Sequence, residues 1–375
     1  MKKISTYMLM LLAAAFVSCE KPSLESSTDI ELIPEAGYIR FSTGVVTKAP
    51  IIQNLRGQNF GVLGYNYGYS TKWSVARPLA TPDLFYNLPV NCAAENGVCT
   101  YDINASEDGN QLKPWDLTKK YSFFAYYPMA NNLNGVSISA ETAVNMPAVT
   151  YALPLKSQSE GEVDPDALID LMTAYAIDKT AGDGTVGFTF QHRLFCVEVL
   201  AQNFNTTNTI TNADGTTTDI DADETISNLK LTIDNLAYKG VTVPMMKGDS
   251  APVKVASDKG AVDFRLLSES ESVKISSHDE SEGAVSLSGV GGDKVVMLVP
   301  QDASGNNQEL TGRLSFDLTN SVGTKETVTR EFTSDINFQE GKKYTIVVSF
   351  TGKTIVIALA ESGAWEPYSV NYEFE

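Results

Sequence analysis

Residues 185–200 read TVGFTFQHRLFCVEVL, and this stretch is the clearest indication of the fold class. Phe188, Phe190, His192 and Leu194 fall at every second position, so an extended strand places them on one face. Valine, threonine and phenylalanine, which dominate the stretch, are residue types that strands favour. The stretch therefore predicts β-structure, with His192 as a packed structural histidine and a ligand role as the alternative.

Segments of similar composition recur along the chain and are separated by Gly, Asn, Asp and Pro. They include GYIRFSTGVV (37–46), FGVLGYNY (60–67), YSFFAYYP (121–128), ISNLKLTIDNL (226–236), KVVMLVP (294–300), GRLSFDL (312–318), KKYTIVVSF (342–350) and KTIVIALA (353–360). Short strands with frequent turn signals are typical of sandwiches and barrels. We therefore expect an all-β fold. The hydrophobic content of 43% fits a folded globular protein.

Two segments depart from this pattern. VDPDALIDLMTAYAI (163–177) fits a helix capped by Asp164, but a strand over 168–176 fits equally well. Residues 205–225 are a long polar excursion that we interpret as a hairpin loop. Both alternatives for the first segment stay open from sequence.

The polar, glycine-rich segment DKTAGDG (178–184) lies between two apolar runs and predicts a domain boundary. The sequence is accordingly divided into an N-terminal β-sandwich domain (37–180) and a C-terminal β-sandwich domain (184–375). Residues 19–36, which contain two prolines, are predicted to form a tether between the chain start and the first domain.

The N-terminus predicts export. Lys2 and Lys3 precede a mostly apolar run that ends at Ser18-Cys19, too short for a spanning helix of about 20 residues. We predict a lipoprotein signal peptide over 1–18 and acylation of Cys19, which would hold the chain at a membrane. The alternative is ordinary cleavage with Cys19 unmodified.

The net charge bears on which partners the chain can bind, and the cysteines bear on which disulfide bonds it can form. The formal net charge is -18, which argues against nucleic acid, because phosphate binding needs clustered Lys and Arg. Export permits disulfides, and Cys92 and Cys99 flank a short loop with an Asn96-Gly97 turn signal. We predict a Cys92–Cys99 bridge, with two free thiols as the alternative. Cys196 is predicted to pack as a small hydrophobic residue.

No catalytic or cofactor motif is present, including HExxH, GxSxG and the phosphate-binding GxxxxGK[ST] pattern. Asp219, Asp221, Asp223 and Glu224 alternate like calcium ligands, but Glu224 stands where the turn glycine belongs. We interpret them as a solvated acidic loop. The expectation is therefore no enzyme, no cofactor and no metal; a hydrolase with spatially paired carboxylates is unsupported by the sequence.

The two chain ends carry the most informative pattern. Tyr368, Val370, Tyr372 and Phe374 alternate with polar residues up to the last residue, although a chain end normally frays. Near the other end, Ile39, Phe41, Thr43 and Val45 share one strand face, and Lys48-Ala49 follows as a site for a trypsin-like protease. We predict that cleavage releases the strand containing Ile39, Phe41 and Val45, and that the C-terminal strand of another subunit replaces it. The alternative is that both strands close their own domains.

In their order along the chain, these segments resemble the fimbrillin (Mfa-like) lipoproteins of Bacteroidales, which are subunits of type V pili. The resemblance rests on Cys19, IRFSTGVVTKAP (39–50), FGVLGYNY, YSFFAYYP, DLMTAYA (170–176), VGFTFQHRLFCVEV (186–199) and the closing GKKYTIVVSF to AWEP segment. It implies two transthyretin-like β-sandwich domains, export to the outer membrane, proteolytic removal of the first strand and strand-exchange polymerisation. Family members are cut after an arginine, whereas Lys48 occupies that place here.

The expected function is therefore a structural pilus subunit that supports cell adhesion, with other pilus subunits as partners and an unknown surface receptor. The alternative function is a surface glycan-binding lipoprotein, suggested by the 9% aromatic content and by Trp73 and Trp115.

Overall fold

The structure is a computed structural model, and it describes residues 37–45, 55–94, 98–103, 112–130, 135–139, 146–156, 161–237, 240–246, 254–255, 259–277, 284–289, 294, 296–299, 310–334 and 338–364. The predicted signal peptide and tether, Cys19, Lys48-Ala49 and the donor strand 368–374 lie outside these ranges. Predictions about them stay predictions.

The described residues up to His192 form strands with few helical turns. These strands are β1 (Phe41–Val45), β2 (Asn59–Gly68), β3 (Phe85–Cys92), β4 (Cys99–Thr100), β5 (Lys119–Tyr127), β6 (Val136–Ser137), β7 (Ala148–Tyr151), β8 (Met172–Lys179) and β9 (Val186–His192). The helical turns are α1 (Trp73–Ala76) and the 3-10 turns Arg77–Leu79, Pro165–Ala167 and Ala181–Asp183.

From Phe195 onward, regular structure in the described residues is entirely extended. The strands are β10 (Phe195–Asn203), β11 (Thr207–Thr211), β12 (Thr217–Asp221), β13 (Glu224–Ala237), β14 (Val241–Pro244), β15 (Lys254–Val255), β16 (Lys259–Arg265), β17 (Ser272–Ile275), β18 (Val285–Ser286), β19 (Val296–Leu298), β20 (Leu310–Asn320), β21 (Lys325–Ser334), β22 (Lys342–Thr351) and β23 (Thr354–Ala364). The prediction of an all-β fold is confirmed.

The first sheet has seven strands in the order β1-β9-β8-β5-β2-β3-β4. Its central strands β2 and β5 bury side chains on both faces, which explains why their sequences are mostly apolar and do not alternate with polar residues. On β5, Phe123 packs in a core on one face, and Phe124 and Tyr126 pack in a second core on the other. Gly61 of β2 is required opposite Tyr126, because an added Cβ would lie 2.3 Å from the tyrosine ring.

The other described strands form three further sheets and a two-stranded hairpin. A four-stranded sheet has the order β15-β14-β7-β6. One five-stranded sheet runs β18-β10-β22-β23 with β19 also on β10, and the other runs β16-β13-β20-β21 with β17 also on β13. Apolar side chains of these sheets share one continuous core, which includes Val197, Leu231, Leu314 and Ile346. The polar excursion forms the predicted hairpin, β11 with β12.

Residues 163–177 do not form the helix that the sequence allowed. A 3-10 turn at Pro165–Ala167 leads into strand β8, which begins at Met172 and pairs with β5. Residues of β8 pair with β5 from Tyr127 to Tyr121. This pairing within the sheet outweighs the weak helical preference of the segment. The alternative prediction, a strand over 168–176, therefore agrees with the structure from Met172 onward.

The predicted boundary at 178–184 joins β8 to β9, and these strands pair at Met172 with His192 and at Thr173 with Gln191. The chain passes from the first sheet to the next between β9 and β10. All described residues fall in one compact unit, so the division into two domains stays a prediction. Within the described residues, no helix is long and apolar enough to cross a membrane.

Candidate functional site: the seat of the first strand

Residues 37–45 are held by backbone bonds to two parts of the chain, β1 to strand β9 and the residues before β1 to the segment around Pro114. Strand β1 pairs in parallel with β9, with Phe41 opposite Val186 and Val45 opposite Phe190. The residues just before β1 bond to the segment around Pro114, through Ile39 N–H to the Lys113 carbonyl at 2.8 Å and Trp115 N–H to the Gly37 carbonyl at 3.2 Å. We call this position the β1 seat: the space between β9 and residues 113–115 that residues 37–45 occupy.

Phe41 fills the centre of the β1 seat and is only 3% exposed. Its ring lies against four other rings at centroid distances of 5.4 to 6.2 Å, those of Phe85, Tyr101, Phe123 and Phe188. Edge-to-face and offset ring pairs add about 0.5–1.5 kcal/mol each to the free energy gained from burial. The seat is therefore an aromatic pocket built around this side chain.

Ile39, two residues before Phe41, is fully buried. Its carbonyl accepts a hydrogen bond from the Tyr101 hydroxyl at 2.7 Å. The same hydroxyl accepts a bond from the Lys113 N–H at 3.2 Å. Burial raises the pKa of Tyr101 to about 12, so the phenol keeps its proton and donates at any physiological pH. Tyr101 thus links β1 to residues 113–115.

A disulfide lies beside the seat. Cys92 and Cys99 are bonded, with an S–S distance of 2.02 Å, and they join β3 to β4. The Cys99 sulfur is 3.9 Å from the Thr43 hydroxyl of β1. The bridge therefore ties the last strand of the first sheet close to β1, the strand at the opposite end of the sheet order.

The structure brings together part of the predicted set of site residues. Ile39 and Phe41 lie in one core with Cys92, and Val45 is paired with β9 through its backbone. Lys48, Ala49, Cys19 and the alternating C-terminal residues fall outside the described ranges. The removable strand and its processing site therefore stay a prediction, while the burial of Ile39 and Phe41 is an observed feature.

The sequence did not identify the residues that line the seat. Phe85, Tyr101 and Phe123 come from three separate strands or loops, and no spacing in the sequence connects them. The only available signal was the alternation within Tyr121, Phe123 and Ala125 on β5, which places these residues on one sheet face.

His192 is a structural residue, as predicted. It is buried, and its Nδ1 lies 2.8 Å from Asp170 Oδ1. Next to it, the buried Arg193 guanidinium lies 3.0 Å from Glu340 Oε1. Asp170, His192 and Arg193 are buried and Glu340 is half-buried, so two adjacent charged pairs lie where the chain leaves the first sheet. His278 is outside the described residues.

The acidic run at 219–224 does not converge on one point. Asp219 accepts a bond from the Thr209 hydroxyl across the β11–β12 hairpin at 2.6 Å. Asp223 pairs with Lys274 at 2.6 Å and accepts the Ser277 N–H at 2.8 Å. Glu224 begins β13 and is buried. Among the described residues, no group of three or more His, Cys, Asp or Glu side chains is placed to hold a metal ion.

The family described as fimbrillin-like matches residues 57–365, which include the β1 partner β9 and every strand from β2 to β23. This chain belongs to the fimbrillin-like family. The resemblance expected from the sequence is confirmed.

Solved structures resemble this fimbrillin-like chain at low sequence identity. A fimbrial protein from Bacteroides vulgatus is 17% identical with a TM-score of 0.59, over 88% of this chain and 99% of that one. A candidate cell adhesion protein from Bacteroides ovatus is 15% identical with a TM-score of 0.48, over 88% and 99%. The fimbrial anchor protein Mfa2 from Porphyromonas gingivalis is 10% identical with a TM-score of 0.33, over 88% and 100%. No curated protein matches the chain. The first of these structures shows that the fimbrillin-like chain shares its fold.

Proposed function

We propose that this fimbrillin-like chain is a structural subunit of a type V fimbria that supports cell adhesion. In this proposal, the chain is exported as a lipoprotein, loses its first strand by proteolysis after Lys48, and accepts the C-terminal strand of another subunit in the β1 seat. Its partners are other pilus subunits, and it performs no catalysis.

The observation that carries the proposal is the burial of Ile39 and Phe41 in the β1 seat. Loss of β1 would uncover the rings of Phe85, Tyr101 and Phe123 and leave the outer edge of β9 unpaired. Exposed apolar surface next to an unpaired strand edge favours the addition of another strand. The emptied seat would therefore be a receptor for an extended apolar segment.

The C-terminal segment has the pattern that such a seat requires. Tyr368, Val370, Tyr372 and Phe374 recur at every second position, the same period as Ile39, Phe41, Thr43 and Val45 in the first strand. Four buried apolar side chains at about 1.5–3 kcal/mol each give roughly 6–12 kcal/mol. Association costs at least about 4 kcal/mol, and backbone bonds to β9 add to the gain.

Trypsin treatment of the purified precursor tests this function. Cleavage after Lys48 is expected to leave Ala49 at the new N-terminus, which mass spectrometry would detect, and to produce ladders on a gel of unboiled samples. The Lys48→Gln variant should stay monomeric. A chain lacking residues 368–375 should be cut normally yet form no ladder. Ladders that persist in the truncated chain, or cleaved wild type that stays monomeric, would contradict strand exchange.

The membrane anchor is proposed separately, on the basis of Ser18-Cys19 after the apolar N-terminal run. We expect the wild-type precursor in the outer-membrane fraction of a cell that processes lipoproteins, labelled by a palmitate analogue. Cys19→Ser should abolish the label and the membrane association. A Cys19→Ser variant that is still labelled would contradict this assignment.

A further inference from the structure

A pocket of about 780 Å³ opens at one end of the two five-stranded sheets, far along the chain from the β1 seat. Its lining comes from the segment between β10 and β11 with the start of β11, from the first residue of β13, and from residues at and beside the β20–β21 and β22–β23 turns. A volume of this size is in the range of small-molecule binding pockets. None of the residues of the β1 seat lines it.

Glu224 is the unusual group in this pocket. It is the first residue of β13, it is 8% exposed, and its Oε2 is buried without a hydrogen-bond partner. Burying a charged oxygen without a hydrogen-bond or ion-pair partner is unfavourable. Burial, followed by the charges of Glu326 and Asp223, raises the pKa of Glu224 to about 7.

A second carboxylate faces the same space. Glu224 lies opposite Asn320 of β20, Glu326 of β21 lies opposite Leu318 of β20, and Asn320 and Leu318 point to the same side of that strand. Glu224 and Glu326 therefore lie on one face of the sheet and both line the pocket. Asp223 is not among the lining residues, and it is paired with Lys274. Lys353, on the β22–β23 turn, is the cation among the lining residues.

The rim is fixed by side-chain bonds and carries an aromatic ring. Asn205 exchanges two bonds with Gly352, through Nδ2 to the carbonyl at 3.2 Å and from the Gly352 N–H to Oδ1 at 2.5 Å. Asn208 donates to the Ser321 hydroxyl at 2.9 Å. Phe204 lines the pocket and leaves 42% of its surface exposed. These bonds hold the opening in place, and Thr206 and Thr207 line the pocket together with Phe204.

The donor set favours an organic cation over a metal ion. Calcium takes six to eight oxygen ligands, many of them carboxylate, whereas two carboxylates line this pocket. An ammonium group carries three N–H donors, which two carboxylates and one hydroxyl or carbonyl can accept. An aromatic face with nearby hydroxyl groups suits a sugar ring, which presents C–H groups on one face and hydroxyls around its edge.

We propose that this pocket binds a saccharide that carries a protonated amine, with the ammonium group next to the side chains of Glu224 and Glu326 and with Phe204 packed on the sugar ring. This inference does not rest on the proposed fimbrial function, because it concerns a site that strand exchange does not use. The bound cation would offset the repulsion between the two negative side chains that line the pocket.

Titration calorimetry of the full chain with the β-1,4-linked disaccharide of glucosamine tests the site. The matched ligand is the same disaccharide with both amines acetylated, which keeps the ring hydroxyls but removes the positive charge. We expect binding of the amine form and at least about tenfold weaker binding of the acetylated form, since a hydrogen bond to a charged group contributes that much.

The protein variants separate the pocket from general surface charge. Glu224→Gln and Glu326→Gln should each weaken binding of the amine form about tenfold or more. Glu331→Gln removes the same charge from an exposed position on β21 outside the pocket and should leave binding unchanged. Phe204→Ala gives a second test that does not depend on the carboxylates. Equal affinity for the two disaccharides, no binding of either, or unchanged binding by Glu224→Gln would overturn the proposal.

Discussion

At the level of single residues, Phe41 joins β1 to the rest of the fold through contacts with four aromatic rings. Phe41→Ala would remove these contacts and leave a cavity next to Phe188. We expect the free energy of unfolding of the uncleaved chain to fall by about 3–5 kcal/mol. Urea denaturation followed by tryptophan fluorescence measures this change.

Tyr38→Ala is the matched control for Phe41→Ala, because Tyr38 is a nearby aromatic residue that is 44% exposed. A surface substitution of this kind changes stability by about 0.5 kcal/mol or less. Equal losses in the two variants would show that the β1 seat does not depend on Phe41.

The Glu224 carboxyl makes stability depend on pH in a defined direction. Its pKa is raised from 4.5 to about 7 in the folded chain, so the folded state holds this proton more tightly than the unfolded state. The resulting stabilisation is complete below pH about 4.5 and is lost as the pH rises to about 7. We therefore expect Glu224→Gln to become more stable than wild type as the pH increases through this window.

Thermal unfolding of Glu224→Gln and Glu331→Gln across that pH window measures the effect. Both variants lose one negative charge, so their difference isolates the buried carboxylate from net charge. Parallel curves for the two variants would contradict the role of Glu224 burial. If Glu224→Gln both raises stability at neutral pH and abolishes ligand binding, the carboxylate is retained at a cost to the unbound fold.

The sequence predicted some of these residues and missed others for a physical reason. Ile39 and Phe41 were found because strand alternation is local and shows in neighbouring residues. The four rings around Phe41 come from positions 85 to 188, and only folding brings them together. Glu224 was grouped with a solvated acidic loop, because the sequence does not show that β13 begins at this residue and buries it.

At the level of elements, the Cys92–Cys99 bridge fixes β4 to β3 next to β1. It closes a short loop, which contributes about 2–3 kcal/mol by restricting the unfolded chain. We expect the Cys92→Ser, Cys99→Ser double variant to lose this amount of unfolding free energy in urea. Amide exchange in residues 39–45 should also become faster, because the neighbouring strand is less restrained.

Reduction of the wild type provides the control for the double variant. A thiol reductant should lower the stability of the wild type to that of the double variant and should not change the double variant itself. Resistance of the wild type to reductant, together with full stability of the double variant, would show that the bridge does not support β4.

Strand prediction succeeded where both faces of a strand are buried or where its residues alternate. β2 and β5 bury residues on both faces, and their mostly apolar sequences predicted them as strands although they show no clear two-residue period. Residues 163–177 were ambiguous because their apolar spacing fits a helix and a strand equally. Pairing of β8 with β5 decides between the two, and a long-range partner is not visible in a local window.

At the level of the whole molecule, charge is the property that bears on assembly. The full chain has a net charge of -18, and removal of the first 18 residues takes away Lys2 and Lys3. Like-charged subunits repel one another over distances set by salt, about 30 Å at 0.01 M and about 8 Å at 0.15 M. Under the proposed strand exchange, this repulsion acts on every addition of a subunit.

We therefore expect the initial rate of polymer growth after cleavage to rise severalfold between low and physiological salt. Light scattering of chains already cut after Lys48 measures the growth rate without the protease step. Urea denaturation of the uncleaved chain at the same salt concentrations controls for changes in subunit stability. A rate that falls with salt would indicate that complementary charged surfaces steer the subunits together, because salt weakens such attraction as well. In that case local charge pattern, and not net charge, would govern how these subunits meet.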